Sequence, residues 1–106
     1  MMSKVYVTQF DPKWNFSSLD QYGDVIFLTD REYAAEPAPG SYNNSIVNQI
    51  GAKLKEYVPG EDYIVMTGSA IPNMITGMWI SDMAGPHKVL KWSNRSSEYE
   101  LFKINA

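Results

Sequence analysis

The stretch at residues 62–72 constrains the fold more than any other part of the chain. It runs from an apolar, β-branched segment through Thr67-Gly68-Ser69 directly into a helical pattern, which predicts a strand that feeds a helix. Such a junction is typical of an open α/β sheet, where it lies at the carboxyl edge of the strands. Because ligands of these sheets usually bind at that edge, the stretch also marks a candidate site.

Strand and helix signals alternate along the whole chain. We expect strands at 4–10, 24–30, 62–67, 87–92 and 98–104, and helices at 41–57 and from Pro72 to the stop at Gly85-Pro86. Residues 13–23 fit either a short helix ending at Tyr22 or a wide loop to an antiparallel neighbour. The 106 residues therefore predict a single α/β domain over 1–106. We expect a small three-layer, Rossmann-like domain, with a mostly parallel sheet of about five strands and a C-terminal antiparallel edge hairpin.

Patterns within these elements predict which side chains form the core. The continuous apolar centre of residues 24–30 predicts a strand that is buried on both faces. In the helix after the junction, Met74, Met78 and Trp79 fall on one apolar face, so we expect them to be buried. Gly77 lies within that helix, and close approach to the sheet would explain it.

The carboxyl ends of the first three strands gather the residues of the candidate site. Backbone donors and the dipole at a helix N-terminus favour an anion, so a phosphate or nucleotide is one interpretation of the junction. The other interpretation is that Gly68 makes a tight turn and Ser69 caps the helix. The motif has neither the spaced glycines of a dinucleotide fingerprint nor the Gly-Lys-Ser/Thr of a phosphate loop. The candidate ligand-binding residues are Thr67, Gly68, Ser69, Asn73, Asp11, Asp30 and Arg31.

The residues that usually carry catalysis are sparse. The chain has no cysteine, which excludes disulfides and thiolate zinc sites. His87, the single histidine, follows Gly85-Pro86 at the amino end of a strand, where we expect it to face solvent away from the candidate site. Asp11 and Asp30 could hold magnesium with water, but acidic residues that flank strands are also ordinary turn residues. We therefore expect no catalytic residue, no metal site and no cofactor.

Composition bears on the partners. Seven Tyr, four Phe and three Trp are too many for the interior of one small domain, so we expect exposed aromatic surface, with Trp14 and Trp92 as interaction anchors. A net charge of −3 without a dense Lys/Arg run argues against a duplex nucleic acid partner. No signal peptide or apolar run long enough for a bilayer is present, so we expect no membrane partner and a cytoplasmic location.

The last third of the sequence resembles a set of small bacteriophage proteins. The resemblance rests on the strand ending in Thr67-Gly68-Ser69, the run Val89-Leu90-Lys91-Trp92-Ser93-Asn94-Arg95 and the later Tyr99, and the opening Val5-Tyr6-Val7-Thr8-Gln9 fits as well. In that set the hairpin reads Leu-Lys-Trp-Asp-Arg, whereas here Ser93 replaces the acidic residue and Asn94 lengthens the spacing. The resemblance implies a phage origin and a host cytoplasm, and it carries over no catalytic residue.

Two classes of function stay open. The first is a non-enzymatic interaction protein that acts on a host factor or as a homo-oligomer, for which the unpaired edge of the last strand offers a dimer route. The alternative is a nucleotide- or phosphate-binding protein, possibly a small enzyme, that uses Thr67-Gly68-Ser69.

Overall fold

Five strands and two α-helices make up the part of the chain that the computed structural model describes, residues 3–105. The strands are β1 (Lys4–Val7), β2 (Asp24–Phe27), β3 (Tyr63–Val65), β4 (His87–Ser93) and β5 (Glu98–Ile104). The helices are α1 (Gly40–Lys53) and α2 (Ala70–Ile80), and short 3-10 helices occupy Ser17–Gln21 and Leu54–Glu56. No helix in these residues is long and apolar enough to cross a membrane.

The strands form one sheet in the order β2-β1-β3-β4-β5. The first four are parallel, and β5 pairs with β4 in the antiparallel sense. A mixed α/β domain with a mostly parallel five-stranded sheet and a C-terminal antiparallel pair is therefore confirmed. Because β1 and β2 are parallel, the wide loop to an antiparallel neighbour is the wrong alternative for the first connection. The connections that follow β1 and β3 run in opposite directions across the sheet, to β2 and to β4, so the switch point lies between β1 and β3.

The two faces of the sheet carry different layers. Neighbouring residues of a strand point to opposite faces, and they divide here into two apolar clusters. Tyr6 and Ile64 belong to the cluster that contains residues of both α-helices. Val7 and Val65 belong to the other, which contains Leu19 of the first 3-10 helix. Both α-helices therefore pack on one face, and the β1–β2 connection covers part of the opposite face.

Strand β2 is less buried than its composition suggests. It lies at the edge of the sheet, and Val25, Ile26 and Phe27 are only half-buried. Ile26 packs on the helix-bearing side, whereas Val25 and Phe27 pack on the other. Both faces of the strand are therefore packed, as predicted, but the burial is only partial because β2 has a neighbouring strand on one side only.

The buried stripe of α2 differs from the predicted one. Pro72, Ile75, Thr76 and Ile80 are buried, whereas Met74 and Met78 are 65% and 66% exposed. A helix that is apolar on most of its surface gives no local signal for the side that meets the sheet. The prediction that its methionines are buried was therefore wrong.

Close approach occurs at a glycine in α1 rather than in α2. Gly77 is exposed, and a Cβ built there would meet no atom within 4 Å. At Gly51 a Cβ would lie 2.4 Å from the indole of Trp79. That indole stays 42% exposed, against the expectation of burial, and its Nε1 donates to the Val47 carbonyl at 3.0 Å. Gly51 therefore lets the two helices meet through the Trp79 ring.

His87 is buried, so the expectation that it faces solvent was wrong. Its Nε2 lies 3.0 Å from the Met83 carbonyl, which can only accept, so this nitrogen donates. Nδ1 then accepts from the Tyr57 hydroxyl at 2.7 Å. The histidine starts β4, at the amino end of the parallel strands, as its sequence position indicated.

Candidate functional site

The junction after β3 combines a tight turn with a helix cap. Gly68 has a φ of 70°, which favours glycine, and Ser69 is the N-cap of α2. The Ser69 Oγ accepts the Ile71 N–H at 3.3 Å. These two residues therefore have the turn and cap roles that their types suggested.

Two threonines close the switch point between β1 and β3. The Thr67 N–H donates to Thr8 Oγ1 at 3.0 Å, and that hydroxyl donates to the Thr67 carbonyl at 3.1 Å. The Thr67 hydroxyl donates to the Gln9 carbonyl at 2.7 Å and accepts the Gln9 N–H at 3.3 Å. All three residues are buried. Internal hydrogen bonds therefore fill the crevice in which open α/β sheets usually hold a ligand.

The Gln9 side chain, which sequence reasoning missed, lies at the N-terminus of α2. Its Oε1 accepts the Ser69 N–H at 2.7 Å. Its Nε2 donates to the Arg31 carbonyl at 3.3 Å and to Glu32 Oε1 at 3.2 Å. A Cβ on Gly68 would lie 2.0 Å from Gln9 Oε1, so Gly68 makes room for this amide. The Gln9 Oε1 thus accepts the Ser69 N–H, which is then not free to donate to a bound anion.

The side chains of the polar residues that follow β1 and β2 have other partners or are exposed. The Arg31 guanidinium donates to Ser45 Oγ at 2.9 Å and to Gln49 Oε1 at 3.3 Å, so it binds α1. Asp30 is exposed, and Asp11 accepts the Lys13 N–H at 2.9 Å in an exposed turn. The side chains of Asp11 and Arg31 therefore hydrogen-bond to their own turn and to α1, not to the junction.

A cleft of about 850 Å³ opens on the other side of the junction. We call it the indole cleft. Its floor consists of Met66, Thr67, Gly68 and Asn73, and its walls consist of Lys13, Trp14 and Asn15 after β1 and of Lys91, Trp92, Asn94 and Tyr99 in the β4–β5 hairpin. Three of the predicted ligand residues (Thr67, Gly68 and Asn73) and both predicted interaction residues (Trp14 and Trp92) thus line the same cleft.

The indoles of Trp14 and Trp92 are both about half-exposed, and that of Trp92 is fixed by contacts with its neighbours. Trp14 is 46% exposed and Trp92 is 44% exposed. Trp92 packs edge-on against Tyr99 at 5.1 Å between ring centroids, and its Nε1 donates to Asn94 Oδ1 at 3.0 Å. Asn94, the residue that lengthens the hairpin, thereby orients a wall of the cleft.

The polar groups that line the indole cleft are either positively charged ammonium groups or uncharged amides and hydroxyls. Lys13 and Lys91 line it, and no carboxylate does. Burial raises the pKa of the Tyr99 phenol, so this group stays protonated at neutral pH. Within residues 3–105, no group of three or more His, Asp or Glu side chains is placed to hold a metal. The cleft therefore offers aromatic faces, amides and ammonium groups.

The whole chain was compared with known proteins. A family model described as phage Pam3 gp32-like protein matches residues 3–106. No curated protein and no solved structure matches the chain. The matched span covers nearly all of the sequence, and it confirms the resemblance to small bacteriophage proteins. The chain therefore belongs to the phage Pam3 gp32-like protein family.

Proposed function

We propose that this phage protein is a non-enzymatic binding protein of the host cytoplasm, and that the indole cleft binds a ligand with a planar ring and an anionic group. A nucleotide is the simplest ligand of this class. The observation that carries the proposal is that two half-exposed indoles and two lysines line one cleft of about 850 Å³. Small-molecule sites have volumes of about 300–1,000 Å³ and combine aromatic walls with a few polar groups.

The chemistry of the lining indicates how such a ligand would bind. A base stacked on Trp14 or Trp92 would gain about 1–3 kcal/mol. Lys13 and Lys91 would pair with the phosphate, since Gln9 already accepts the donor at the N-terminus of α2. We retain Thr67, Gly68 and Asn73 in this site, on its floor. We place Asp11, Asp30 and Arg31 outside it, because none of the three lines the cleft.

Two observations support binding rather than catalysis. Both ring nitrogens of His87 are in internal hydrogen bonds, and this residue lies at the opposite end of the parallel strands. The residues that line the cleft include no histidine and no carboxylate. We therefore assign the cleft to recognition of the ligand.

A ligand panel tests the proposal. Nucleoside mono- and triphosphates, nucleosides and inorganic phosphate are each titrated at up to millimolar concentration, with thermal shift and isothermal calorimetry as readouts. We expect nucleotides to bind more tightly than either nucleosides or phosphate. At 100 times its Kd, a ligand should raise the free energy of unfolding by about 2.7 kcal/mol. If no member of the panel binds, the nucleotide proposal is wrong.

Matched variants locate the site. Trp14→Ala and Trp92→Ala should each weaken nucleotide binding at least about tenfold, equivalent to about 1.4 kcal/mol. Lys13→Met and Lys91→Met should reduce the preference for nucleotides over nucleosides. Trp79→Phe changes a similarly exposed indole on α2 that lies outside the cleft, so it should leave binding unchanged. Circular dichroism of each variant separates loss of the site from loss of the fold.

A protein partner is the second candidate, and the exposed apolar surface favours it. Met74 and Met78 on α2 are 65% and 66% exposed. Exposed methionine faces often bind partner proteins. In this case a host factor would contact Trp14 or Trp92, and a pull-down from host lysate should recover a stoichiometric protein. Trp14→Ala and Trp92→Ala should lose that protein while Trp79→Phe keeps it. Recovery of the same protein with all variants would contradict a role for the cleft.

The strand order also supports a finer description of the fold. The parallel order β2-β1-β3-β4 is that of doubly wound domains. In these domains the connections that follow β1 and β3 run in opposite directions across the sheet. We propose that the domain is a reduced three-layer, Rossmann-like fold in which the 3-10 helix at Ser17–Gln21 stands in for the first crossover helix. An experimental structure whose layers differ from these would contradict that description.

A further inference from the structure

Within residues 3–105, the outer edge of β5 is a long strand edge with no neighbour in the sheet. We propose that β5 pairs with β5 of a second copy of this chain, in the antiparallel sense and centred on Leu101, so that one sheet continues through both copies. The proposal is independent of the indole cleft. It rests on the edge itself, on the side chains beside it, and on the pairing that its charges permit.

Nothing within β5 protects the edge. All seven residues pair one-to-one with β4, so the strand contains no bulge, and it contains no proline. Natural proteins use bulges, prolines or short edge strands to prevent such edges from pairing with other chains. Glu98, Glu100 and Lys103 are charged residues of a protective type, but each repels a second copy only where it meets a like charge.

Apolar side chains lie on both faces of the strand next to this edge. Phe102 and Ile104 share a face with their partners Val89 and His87, and Val89 packs against the helix-bearing cluster. Leu101 shares the opposite face with Leu90. Leu101, Phe102 and Ile104 are each 48–49% exposed. A second strand at the edge would therefore cover apolar surface on both faces.

The sequence of β5 is complementary to itself in one full-length register. Centring the two-fold axis on Leu101 pairs every residue of Glu98–Ile104 with a residue of the same strand in the second copy. Leu101 then faces Leu101, Glu100 faces Phe102, and Tyr99 faces Lys103. A lysine beside an aromatic ring is favourable, and the same sheet already contains such a pair, with the Lys88 ammonium 4.0 Å from the centre of the Tyr63 ring.

Other registers that keep the faces aligned are less favourable. An axis on Glu100 places this carboxylate opposite itself, and an axis on Lys103 places two ammonium groups together, which destabilises a strand pair. An axis on Phe102 puts Leu101 opposite Lys103 and leaves Glu98 and Tyr99 outside the strand pair. The axis on Leu101 is therefore favoured, because it avoids like charges facing each other and pairs all seven residues of the strand.

The size of the interface determines the strength we expect. Seven residues of a strand span about 23 Å at roughly 3.3 Å per residue, so the contact is a single ribbon rather than a broad face. Interfaces below about 1,200 Å² are typical of weak or transient complexes. The dimer should therefore form in a concentration-dependent way.

Analytical ultracentrifugation over a range of concentrations tests the dimer. The unchanged chain should shift from 12.0 kDa toward twice that mass as its concentration rises. Leu101→Lys places two ammonium groups at the axis and should abolish the shift. Asn48→Lys adds the same charge on the exposed side of α1 and should retain it. A chain that stays at 12.0 kDa up to about millimolar concentration, or a shift unaffected by Leu101→Lys, would overturn the proposal.

Cross-linking tests the register, because the chain has no native cysteine. Oxidised Leu101→Cys should give covalent dimers, since only a residue at the axis meets its own copy closely enough for a disulfide. Phe102→Cys alone should give few dimers, whereas Tyr99→Cys mixed with Lys103→Cys should give heterodimers. Efficient dimers from Phe102→Cys would overturn the Leu101 axis. Equal yields from Leu101→Cys and the surface control Asn48→Cys would show random collision and overturn the interface.

Discussion

At the scale of single residues, Gln9 decides what the strand-to-helix junction can bind. Its amide accepts the Ser69 N–H and donates to the segment after β2, so it joins β1, α2 and that segment. The position was predicted to lie at the end of a strand, yet a strand end does not reveal where its side chain points. Of the predicted anion-site residues, Thr67 and Gly68 therefore line the indole cleft, while the Ser69 N–H donates to Gln9.

Replacing Gln9 should destabilise the fold. Gln9→Leu keeps the size of the side chain but leaves the Ser69 N–H without its acceptor, so we expect a loss of about 1–3 kcal/mol in the free energy of unfolding. Urea denaturation measures it. Gln21→Leu, at an exposed glutamine, should change that energy by less than about 0.5 kcal/mol. Equal effects of the two substitutions would contradict the bridging role.

A second residue-scale prediction concerns Tyr57. Burial raises the pKa of its phenol to about 12 from 10.0, and its hydroxyl donates to His87. Between these two pH values the unfolded chain releases the phenol proton while the folded chain keeps it. The stabilisation is therefore complete below pH 10 and is lost as the pH rises to about 12, by about 2 kcal/mol.

Tyr57→Phe removes this titration. Denaturation curves from below pH 10 to pH 12 should show a smaller fall in the free energy of unfolding for the variant than for the unchanged chain. The remaining slope should come from Tyr6 and Tyr99, whose pKa values burial also raises, and from Lys4, whose pKa is raised by its hydrogen bond to Glu56. Identical slopes for both proteins would rule out this role for Tyr57.

At the scale of elements, α2 shows why periodicity alone misplaced a helix face. Met74, Ile75, Met78 and Trp79 are all apolar and at helical spacing. Only contact with the sheet and with α1 selects Ile75 as buried and leaves both methionines exposed. The contact between the helices depends instead on a glycine in α1, where the Trp79 ring packs.

Alanine at two glycines should have opposite effects. Gly51→Ala would drive a methyl group into the Trp79 indole and should cost about 1–3 kcal/mol of stability. Gly77→Ala lies on the exposed side of α2 with free space around it and should gain about 0.5–1 kcal/mol. Chemical denaturation of both variants gives the signs. A gain for Gly51→Ala would show that the helices do not meet as described.

At the scale of the whole molecule, the strand order determines which segments are most stable. Strands β1 and β3 lie inside the sheet, and Val5, Val7 and Val65 are fully buried. Strands β2 and β5 each have one unpaired edge. The connection between β1 and β2 covers the second face with a short 3-10 helix, so that face has the thinner cover.

Hydrogen exchange should follow this order. In dilute solution, the amides of β1 and β3 should exchange only through global unfolding, whereas many in β2 and β5 should exchange earlier. Exchange followed by mass spectrometry or NMR tests this expectation. Uniform protection across all five strands would contradict it. At high concentration, added protection confined to β5 would agree with pairing between copies.

The sequence by itself determined the elements, because strand and helix signals are local. The last strand has the predicted limits, residues 98–104, and the helix expected at 41–57 matches α1, which begins one residue earlier, together with the following 3-10 turn. The turn at Gly68 and the cap at Ser69 were also predictable, since each role depends on the conformational preference of one residue.

Tertiary structure alone decided how these elements meet. Packing buried His87, exposed Met74 and placed Arg31 against α1. It also brought Trp14 and Trp92, which are far apart in sequence, to the walls of one cleft. Such contacts depend on strand order and on side-chain direction, and neither leaves a periodic trace in the chain. The local pattern could therefore single out Thr67, Gly68, Asn73, Trp14 and Trp92, but it could not predict that all five line one cleft.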